Sequence, residues 1–317
     1  MSQVEVIKKF LLKYSSLRSE IANVIVGQEK VVEQILIAIF SGGHALLIGV
    51  PGLAKTLMVN TIASTLGLDY KRIQFTPDLM PSDIIGSEIL DKDRNFKFIK
   101  GPVFSNIVLA DEINRTPPKT QAALLEAMQE KSVTVSGIRH QLAKPYFVLA
   151  TQNPIEQEGT YPLPEAQLDR FMFAINLKYP LFTEEVEIVK KTTSDNNSIS
   201  KAVFSSDEII EFQNLVRKIP VADNLVEYAV SIVSKSRPTS IEATETIKNY
   251  VSWGAGPRAS QNLILAAKTN ALIKGKYTPD KEDIRSVAKI VLRHRIIKNY
   301  KAEAEGLKIE DIIEGLF

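Results

Sequence analysis

The segment Gly49–Thr56 has the residue types of a phosphate-binding loop. It follows a predicted apolar strand, Ala45–Ile48, and precedes a predicted helix. Glycines let the backbone N–H groups turn toward an anion, and the start of the helix adds its positive dipole end. Lys55 would then reach the β- and γ-phosphates, and Thr56 would place its hydroxyl on Mg²⁺. The predicted nucleotide contacts of this loop are Gly49, Val50, Pro51, Gly52, Leu53, Ala54, Lys55, Thr56 and Leu57.

Two points bear on this interpretation of the loop: a simple turn could have a similar sequence, and one residue departs from the general pattern. A glycine-containing turn that merely starts a helix has a similar sequence, although the strand, the helix and the Lys55-Thr56 pair together favour a nucleotide. Ala54 stands where the general pattern has glycine. Its single methyl group is a small change at the entrance to the helix, tolerable if the position has ordinary helical angles.

Two adjacent carboxylates, Asp111 and Glu112, end a second apolar segment, Asn106–Ala110. The strand places them at the carboxyl edge of a sheet, where ligands bind in such folds. Asp111 is predicted to hold Mg²⁺ through water, and Glu112 to act as general base on the attacking water. Either residue alone would be read as a helix cap, and the phosphate loop is what favours the catalytic interpretation.

Three further polar residues follow predicted strands or start a helix. Asn153 follows the strand Tyr146–Ala150, and it fits a γ-phosphate contact and a turn before Pro154 equally well. Arg170 lies just ahead of a fifth strand, a position that suits catalysis in trans at a neighbouring subunit. Arg258 starts a helix, where contact with the phosphates and a plain surface position are equally consistent with the spacing.

Composition narrows the chemistry to carboxylates, hydroxyls, Lys and Arg. The chain has 317 residues, no cysteine and only three histidines, which lie far apart in the sequence. This excludes disulfides, thiolate zinc sites and cysteine nucleophiles. The formal net charge of +2 gives no global field for nucleic acid or for an anionic membrane. We expect a cytoplasmic protein without membrane insertion, because Met1–Tyr14 lacks a signal-peptide core and no apolar run approaches the roughly 18 residues of a membrane span.

The order of elements predicts an α/β fold with a second, helical domain. Apolar strands alternate with helices up to about residue 180, as expected for a mostly parallel five-stranded sheet covered by helices. Two inserted hairpins are predicted around residues 87–99 and 133–142. From Ser206 onward only helical periodicity is found, up to a last long helix at Pro279–Tyr300. The predicted domains are a P-loop ATPase core at 1–195 and an all-helical lid at 196–317.

In order and spacing, these motifs resemble the MoxR family of AAA+ ATPases over nearly the whole chain. The segments that carry the resemblance are Gly49–Thr56, Leu109–Arg115, Ala150–Pro154, Leu168–Phe171 and Gly256–Arg258. Ala54 belongs to the family's own variant of the loop. The resemblance implies a core domain with a helical lid, ATP and Mg²⁺ as cofactors, and hydrolysis at the subunit interfaces of a homo-oligomer, commonly a hexameric ring.

The resemblance also assigns roles to residues. It implies Asn153 as first sensor, Arg258 as second sensor, Arg170 as the finger given to a neighbour, and Val26, Gly27 and Gln28 as the segment against the adenine. It further implies a chaperone-like action on client proteins, often ones with a von Willebrand A domain. Two competing functions, a nucleic-acid motor or loader and a small-molecule P-loop kinase, are disfavoured. The near-neutral net charge argues against the nucleic-acid motor or loader. Arg170 and Arg258 argue against the kinase, because two such arginines make better sense at an interface shared between subunits.

Overall fold

The computed structural model describes residues 3–90, 92–156, 158–194 and 200–317. These residues form two compact units, each built from more than one stretch of the chain. The sheet unit contains Leu12–Leu163 and Ile175–Glu211, and the helical unit contains Pro164–Ala174, Phe212–Phe317 and the N-terminal residues up to Leu11. The predicted domain boundary at 195 and 196 lies outside the described residues and stays a prediction.

Helices and short strands alternate through the first half of the chain, and helices dominate the second half. The helices are α1 Gln3–Ala22, α2 Glu29–Ser41, α3 Lys55–Thr65, α4 Pro81–Ile85, α5 Pro118–Glu130, α6 Glu165–Leu168, α7 Phe182–Thr192, α8 Ser206–Lys218, α9 Asp223–Lys235, α10 Glu245–Tyr250, α11 Pro257–Ile273, α12 Lys281–Leu292, α13 Tyr300–Ala304 and α14 Ile309–Glu314. The strands are β1 Ala45–Ile48, β2 Tyr70–Gln74, β3 Gly86–Leu90, β4 Phe96–Lys100, β5 Ile107–Asp111, β6 Ser132–Val135, β7 Ile138–Gln141, β8 Phe147–Gln152, β9 Phe173–Asn176, β10 Val251–Trp253 and β11 Ile297–Lys298.

The main sheet has five strands in the order β2-β5-β8-β1-β9. The pairs β2–β5, β5–β8 and β1–β8 are parallel, with Ile73 opposite Ala110 and Leu47 opposite Thr151. Strands β5 and β8 are almost entirely buried, which explains their unbroken apolar runs. The predicted five-stranded sheet is confirmed, and its strands β1, β5 and β8 lie within two residues of their predicted ends. Because these strands run parallel, the residues after β1, β5 and β8 share one edge of the sheet.

Both predicted hairpins are confirmed as antiparallel pairs, β3 with β4 and β6 with β7. The rings of Phe98 on β4 and His140 on β7 stack with their centroids 4.2 Å apart. The two insertions of the sheet unit are therefore joined by an aromatic contact.

The helical unit departs from the prediction in two places. It is not entirely helical, because β10 and β11 form a short antiparallel pair, with Val251 opposite Lys298. The predicted last helix, Pro279–Tyr300, is also too long, since α12 ends at Leu292. The next residues turn inward, and the Arg295 side chain is only 1% exposed. The side chain of Arg293 is likewise only 13% exposed, so both arginines are largely withdrawn from solvent.

In the part of the chain that the structure describes, no helix combines the length and the apolar character that crossing a membrane requires.

Candidate nucleotide site

The predicted phosphate loop joins β1 directly to α3. Gly52 and Ala54 both have left-handed backbone angles, with φ of 85° and 53°. The condition of ordinary helical angles at Ala54 is therefore not met. Ala54 is the N-cap of α3, and a side-chain-bearing residue in this region costs about 1–2 kcal/mol. The methyl group of Ala54 cannot cap this end of α3, so the site fits an anionic ligand on the first-turn N–H groups.

Lys55 is half-buried at the start of α3. Its Nζ donates to the carbonyl oxygen of Gly49 at 2.8 Å, which folds the side chain back over the loop. Burial lowers the pKa of Lys55 from its usual value, while the negative charges of Asp111, Glu112 and Glu156 oppose that shift. The structure thus brings Lys55 within the electrostatic reach of the acid pair, as the sequence predicts.

Asp111 is the last residue of β5, and both of its carboxylate oxygens accept hydrogen bonds. Oδ1 accepts from the Thr151 hydroxyl at 2.6 Å. Oδ2 accepts from Nε and Nη2 of Arg72 at 3.0 and 2.6 Å. Arg72 lies on β2, and Thr151 lies on β8, the two strands that flank β5. The side chain is thereby fixed at the sheet edge by a hydroxyl on one side and a guanidinium on the other.

Glu112 follows in a left-handed conformation, with φ of 57°. Its backbone N–H donates to the Thr151 hydroxyl at 2.8 Å, so one buried hydroxyl contacts both members of the acid pair. Its Oε2 accepts from Nε2 of Gln74 at 2.9 Å and from Nη1 of Arg115 at 3.1 Å. These two donors fix the orientation of the carboxylate at the sheet edge.

Asn153 is buried just beyond β8, on the predicted sheet edge. Its Oδ1 accepts from the backbone N–H of Ile155 at 3.1 Å, which is a local turn contact. Of the two interpretations that the sequence leaves open, the turn is therefore present, and the phosphate contact stays a prediction.

A mostly apolar cleft adjoins the phosphate loop within the sheet unit. The cleft is partly open to solvent, and most of its lining surface is apolar. Its lining includes Val24, Ile25, Val26, Gln28, Gly52, Leu53, Ala54, Leu57, Met58, Pro180 and Ile188. Val26 and Gln28, assigned to adenine by resemblance, thus face the same cleft as the loop.

At Gly27, between these two residues, a side chain would clash with a neighbouring residue. Its φ is 73°, and a Cβ placed there would lie 2.8 Å from the side chain of Glu184. Nearby, Nε2 of Gln28 donates to the carbonyl oxygen of Lys178 at 3.1 Å. A flat apolar ring with polar edges, such as a purine, fits the chemistry of this cleft.

The two predicted arginines belong to the helical unit. Arg258 is the second residue of α11, and its exposed side chain lies with Nη1 3.5 Å from Oδ2 of Asp169. Arg170 follows α6 in the same unit and is partly exposed. Arg258 lies close to Asp169 in space, and Arg170 is the next residue after Asp169 in the sequence. The contacts of both arginines with a nucleotide stay predictions.

Sequence reasoning missed four contact residues of the acid pair: Arg72, Gln74, Arg115 and Thr151. Arg72 and Gln74 alternate on β2, an edge strand whose polar residues resemble ordinary solvent-facing positions. Their partners depend on the β2–β5 register, in which Gln74 lies opposite Asp111. Thr151 carried a usable signal, because it is a hydroxyl residue at the end of a buried strand.

Comparison with known proteins also indicates an ATPase. A family model described as "ATPase family associated with various cellular activities (AAA)" matches residues 44–173, and an "AAA lid domain" model matches residues 244–316. Chaperone MoxR1 of Mycobacterium tuberculosis is 44% identical over 295 residues, which cover 93% of this chain and 78% of that protein. The Bacillus subtilis protein YeaC is also 44% identical, with coverage of 93% and 90%. The crystal structure of a candidate ATPase from Cytophaga hutchinsonii superposes with a TM-score of 0.93 at 46% identity, covering 98% of this chain and 95% of that one.

Proposed function

Since this chain belongs to the MoxR family of AAA+ ATPases, we propose that it hydrolyses ATP with Mg²⁺ to remodel partner proteins. This proposal rests on the start of α3, where the side chain of the N-cap residue Ala54 provides no cap, beside the hydrogen-bonded carboxylates of Asp111, which is buried, and Glu112, which is partly exposed. Bound Mg·ATP would supply the phosphoryl group to be transferred and a metal ion that neutralises charge on its oxygens.

The residues of the sheet unit divide the chemical work. The loop N–H groups and Lys55 bind phosphate oxygens, with Lys55 leaving the Gly49 carbonyl to do so. Thr56 and Asp111 are the residues that would hold the metal ion, with a hydroxyl and a carboxylate as oxygen donors. Glu112 accepts a proton from the attacking water, held in place by Gln74 and Arg115. The apolar cleft at Val26–Gln28 takes the adenine.

We assign the remaining predicted residues to communication within an assembly. Asn153 orients the water or the γ-phosphate, Arg258 senses the phosphates of its own subunit, and Arg170 completes the site of a neighbour in a homo-oligomeric, hexameric ring. The M. tuberculosis relative is named a chaperone, and this supports a client protein as the target of remodelling. Clients with a von Willebrand A domain are the first candidates to test.

The variant Glu112→Gln tests the assigned chemistry. It should bind Mg·ATP with near-normal affinity and hydrolyse it at least roughly 100-fold more slowly, since general-base catalysis is worth about 10²–10⁴ in rate. Glu156→Gln is the matched control, because Glu156 is a nearby carboxylate that also faces Arg115, at 3.8 Å. Phosphate release at the normal rate from Glu112→Gln would remove Glu112 from the base role. The same protein, loaded with ATP and used as bait, should retain the client.

A further inference from the structure

The guanidinium of Arg295 is buried in the helical unit and donates from each of its nitrogens. Nε donates to Oδ1 of Asp169 at 2.7 Å, and Nη1 donates to the carbonyl oxygen of Met172 at 3.1 Å and to that of Val291. Nη2 donates to the carbonyl oxygens of Asp169 and Phe171 at 3.1 and 2.7 Å. Four of these five acceptors lie in the segment Asp169–Met172.

This arrangement is specific to arginine and costly to break. Burial lowers the pKa of Arg295 from its usual value, and the Asp169 carboxylate opposes that shift. A buried cation is tolerated only when it is paired and fully hydrogen-bonded. The planar fork of a guanidinium can hold a carboxylate and several carbonyls at once, whereas a lysine ammonium is a point charge with three donors. His294 adds to the clamp, with its Nε2 3.1 Å from the carbonyl oxygen of Phe171.

The clamped segment also carries Arg170 and contacts Arg258. Arg170 is the residue between the two carbonyl acceptors of Asp169 and Phe171. The second carboxylate oxygen of Asp169 lies 3.5 Å from Nη1 of Arg258, whose side chain is 48% exposed. Asp169 therefore faces one fixed, buried arginine and one exposed arginine that a phosphate can attract away.

We propose that Arg295 and Asp169 are positioning residues that fix the Arg170 segment to the helical unit and link it to Arg258. The roles of Arg170 and Arg258 rest on the proposed function, whereas the clamp itself rests on the contacts of Arg295. Movement of Arg258 toward a phosphate removes one of the two cations on Asp169. The nucleotide bound to a subunit thereby changes the charge around Asp169. Asp169 is next to Arg170, the arginine that the same subunit presents to its neighbour.

The clamp is tested without nucleotide, by amide hydrogen exchange of the whole protein. Arg295→Lys keeps the charge beside Asp169 but loses the fork, so peptides covering 169–173 should exchange roughly tenfold faster or more. Arg293→Gln is the matched control, since Arg293 pairs with Glu310 at 3.4 Å and should leave those peptides unchanged. Unchanged exchange at 169–173 in Arg295→Lys overturns the proposal. If Arg295→Lys does not fold, Asp169→Asn, at a 29% exposed side chain, is measured in the same way with the same two outcomes.

The link to a neighbour's site is tested with mixed subunits. An Arg170→Ala subunit keeps its phosphate loop, and a Lys55→Ala subunit keeps its Arg170, so a mixture should recover ATPase activity. Adding Arg295→Lys to the Lys55→Ala subunit should lower the recovered activity by roughly tenfold or more, as a small misplacement of a catalytic group does. Adding it to the Arg170→Ala subunit should lower the activity much less. A merely structural role would give equal losses on both sides, and this result overturns the proposal.

The two failures are distinguishable. If the parental mixture recovers no activity although mixed assembly is confirmed, the trans role of Arg170 in the proposed function fails. The exchange measurement still decides whether Arg295 fixes the segment, because it needs neither nucleotide nor a neighbour.

Discussion

Replacing Ala54 with glycine should stabilise the nucleotide-free protein. Ala54 has φ of 53°, and a left-handed conformation costs a residue with a side chain about 1–2 kcal/mol. Glycine removes that cost but gains about 0.5–1 kcal/mol of conformational freedom in the unfolded chain, so the expected net gain is about 0.5–1 kcal/mol. The cleft beside the loop should keep its shape, because only one methyl group is lost.

A second alanine of the same unit provides the matched control. Ala122 is exposed in the interior of α5, where helical angles are ordinary. Ala122→Gly should therefore destabilise by about 1 kcal/mol, opposite in sign to Ala54→Gly. Urea unfolding of both variants, followed by far-ultraviolet circular dichroism without nucleotide, measures the two changes. If both variants lose stability by similar amounts, the strain argument at Ala54 is refuted.

Three further predictions concern single residues of the sheet unit. Thr151→Val leaves the acid pair without its buried hydroxyl, so urea unfolding should show a loss of about 1–3 kcal/mol that Thr151→Ser largely restores. Burial lowers the pKa of His44 from 6.5 to about 4. As the pH falls below 6.5, this histidine takes up a proton in the unfolded chain before it does so in the folded protein, so the free energy of unfolding decreases between pH 6.5 and pH 4. At pH 5 this histidine alone should cost about 2 kcal/mol, and His44→Gln should flatten the pH dependence of the urea midpoint. Gly27→Ala places a Cβ against Glu184 and should raise the Kd for ATP by roughly tenfold in a fluorescence titration, whereas Gly137→Ala, with open space around it, should not.

Local sequence patterns were sufficient for the elements that carry the site. The apolar runs before Gly49, Asp111 and Asn153 are buried central strands, so burial on both faces left a clear signal in the sequence. The glycine-bearing loop and the Lys55-Thr56 pair lie at the start of a helix, as their spacing predicts.

Other features were missed for identifiable physical reasons. The buried residues of α1, among them Ile7, Phe10, Tyr14 and Leu17, recur at three and four positions, a helical spacing hidden by the frequent charges between them. The end of α12 depends on where Arg295 finds acceptors far away in the sequence. Such distant pairing is set by tertiary structure and leaves no local pattern.

For the acid pair, too, the carboxylates were predictable from the local sequence, whereas a contact with a distant strand was not. Asp111 and Glu112 were predictable because they terminate a strand. Arg72 contacts Asp111 only because β2 lies beside β5 in one register, and a shift of one residue would turn its side chain to the other face.

Titration calorimetry with Mg·ATP measures whether a triphosphate binds at the loop before α3, and every catalytic role assigned above depends on that binding. The Glu112→Gln protein, which should not consume the ligand, is expected to bind about one nucleotide per chain, and Lys55→Ala in the same background should weaken binding by roughly 100-fold, as loss of a charged phosphate contact predicts. Absence of binding heat, or equal affinity with and without Lys55, would contradict the account.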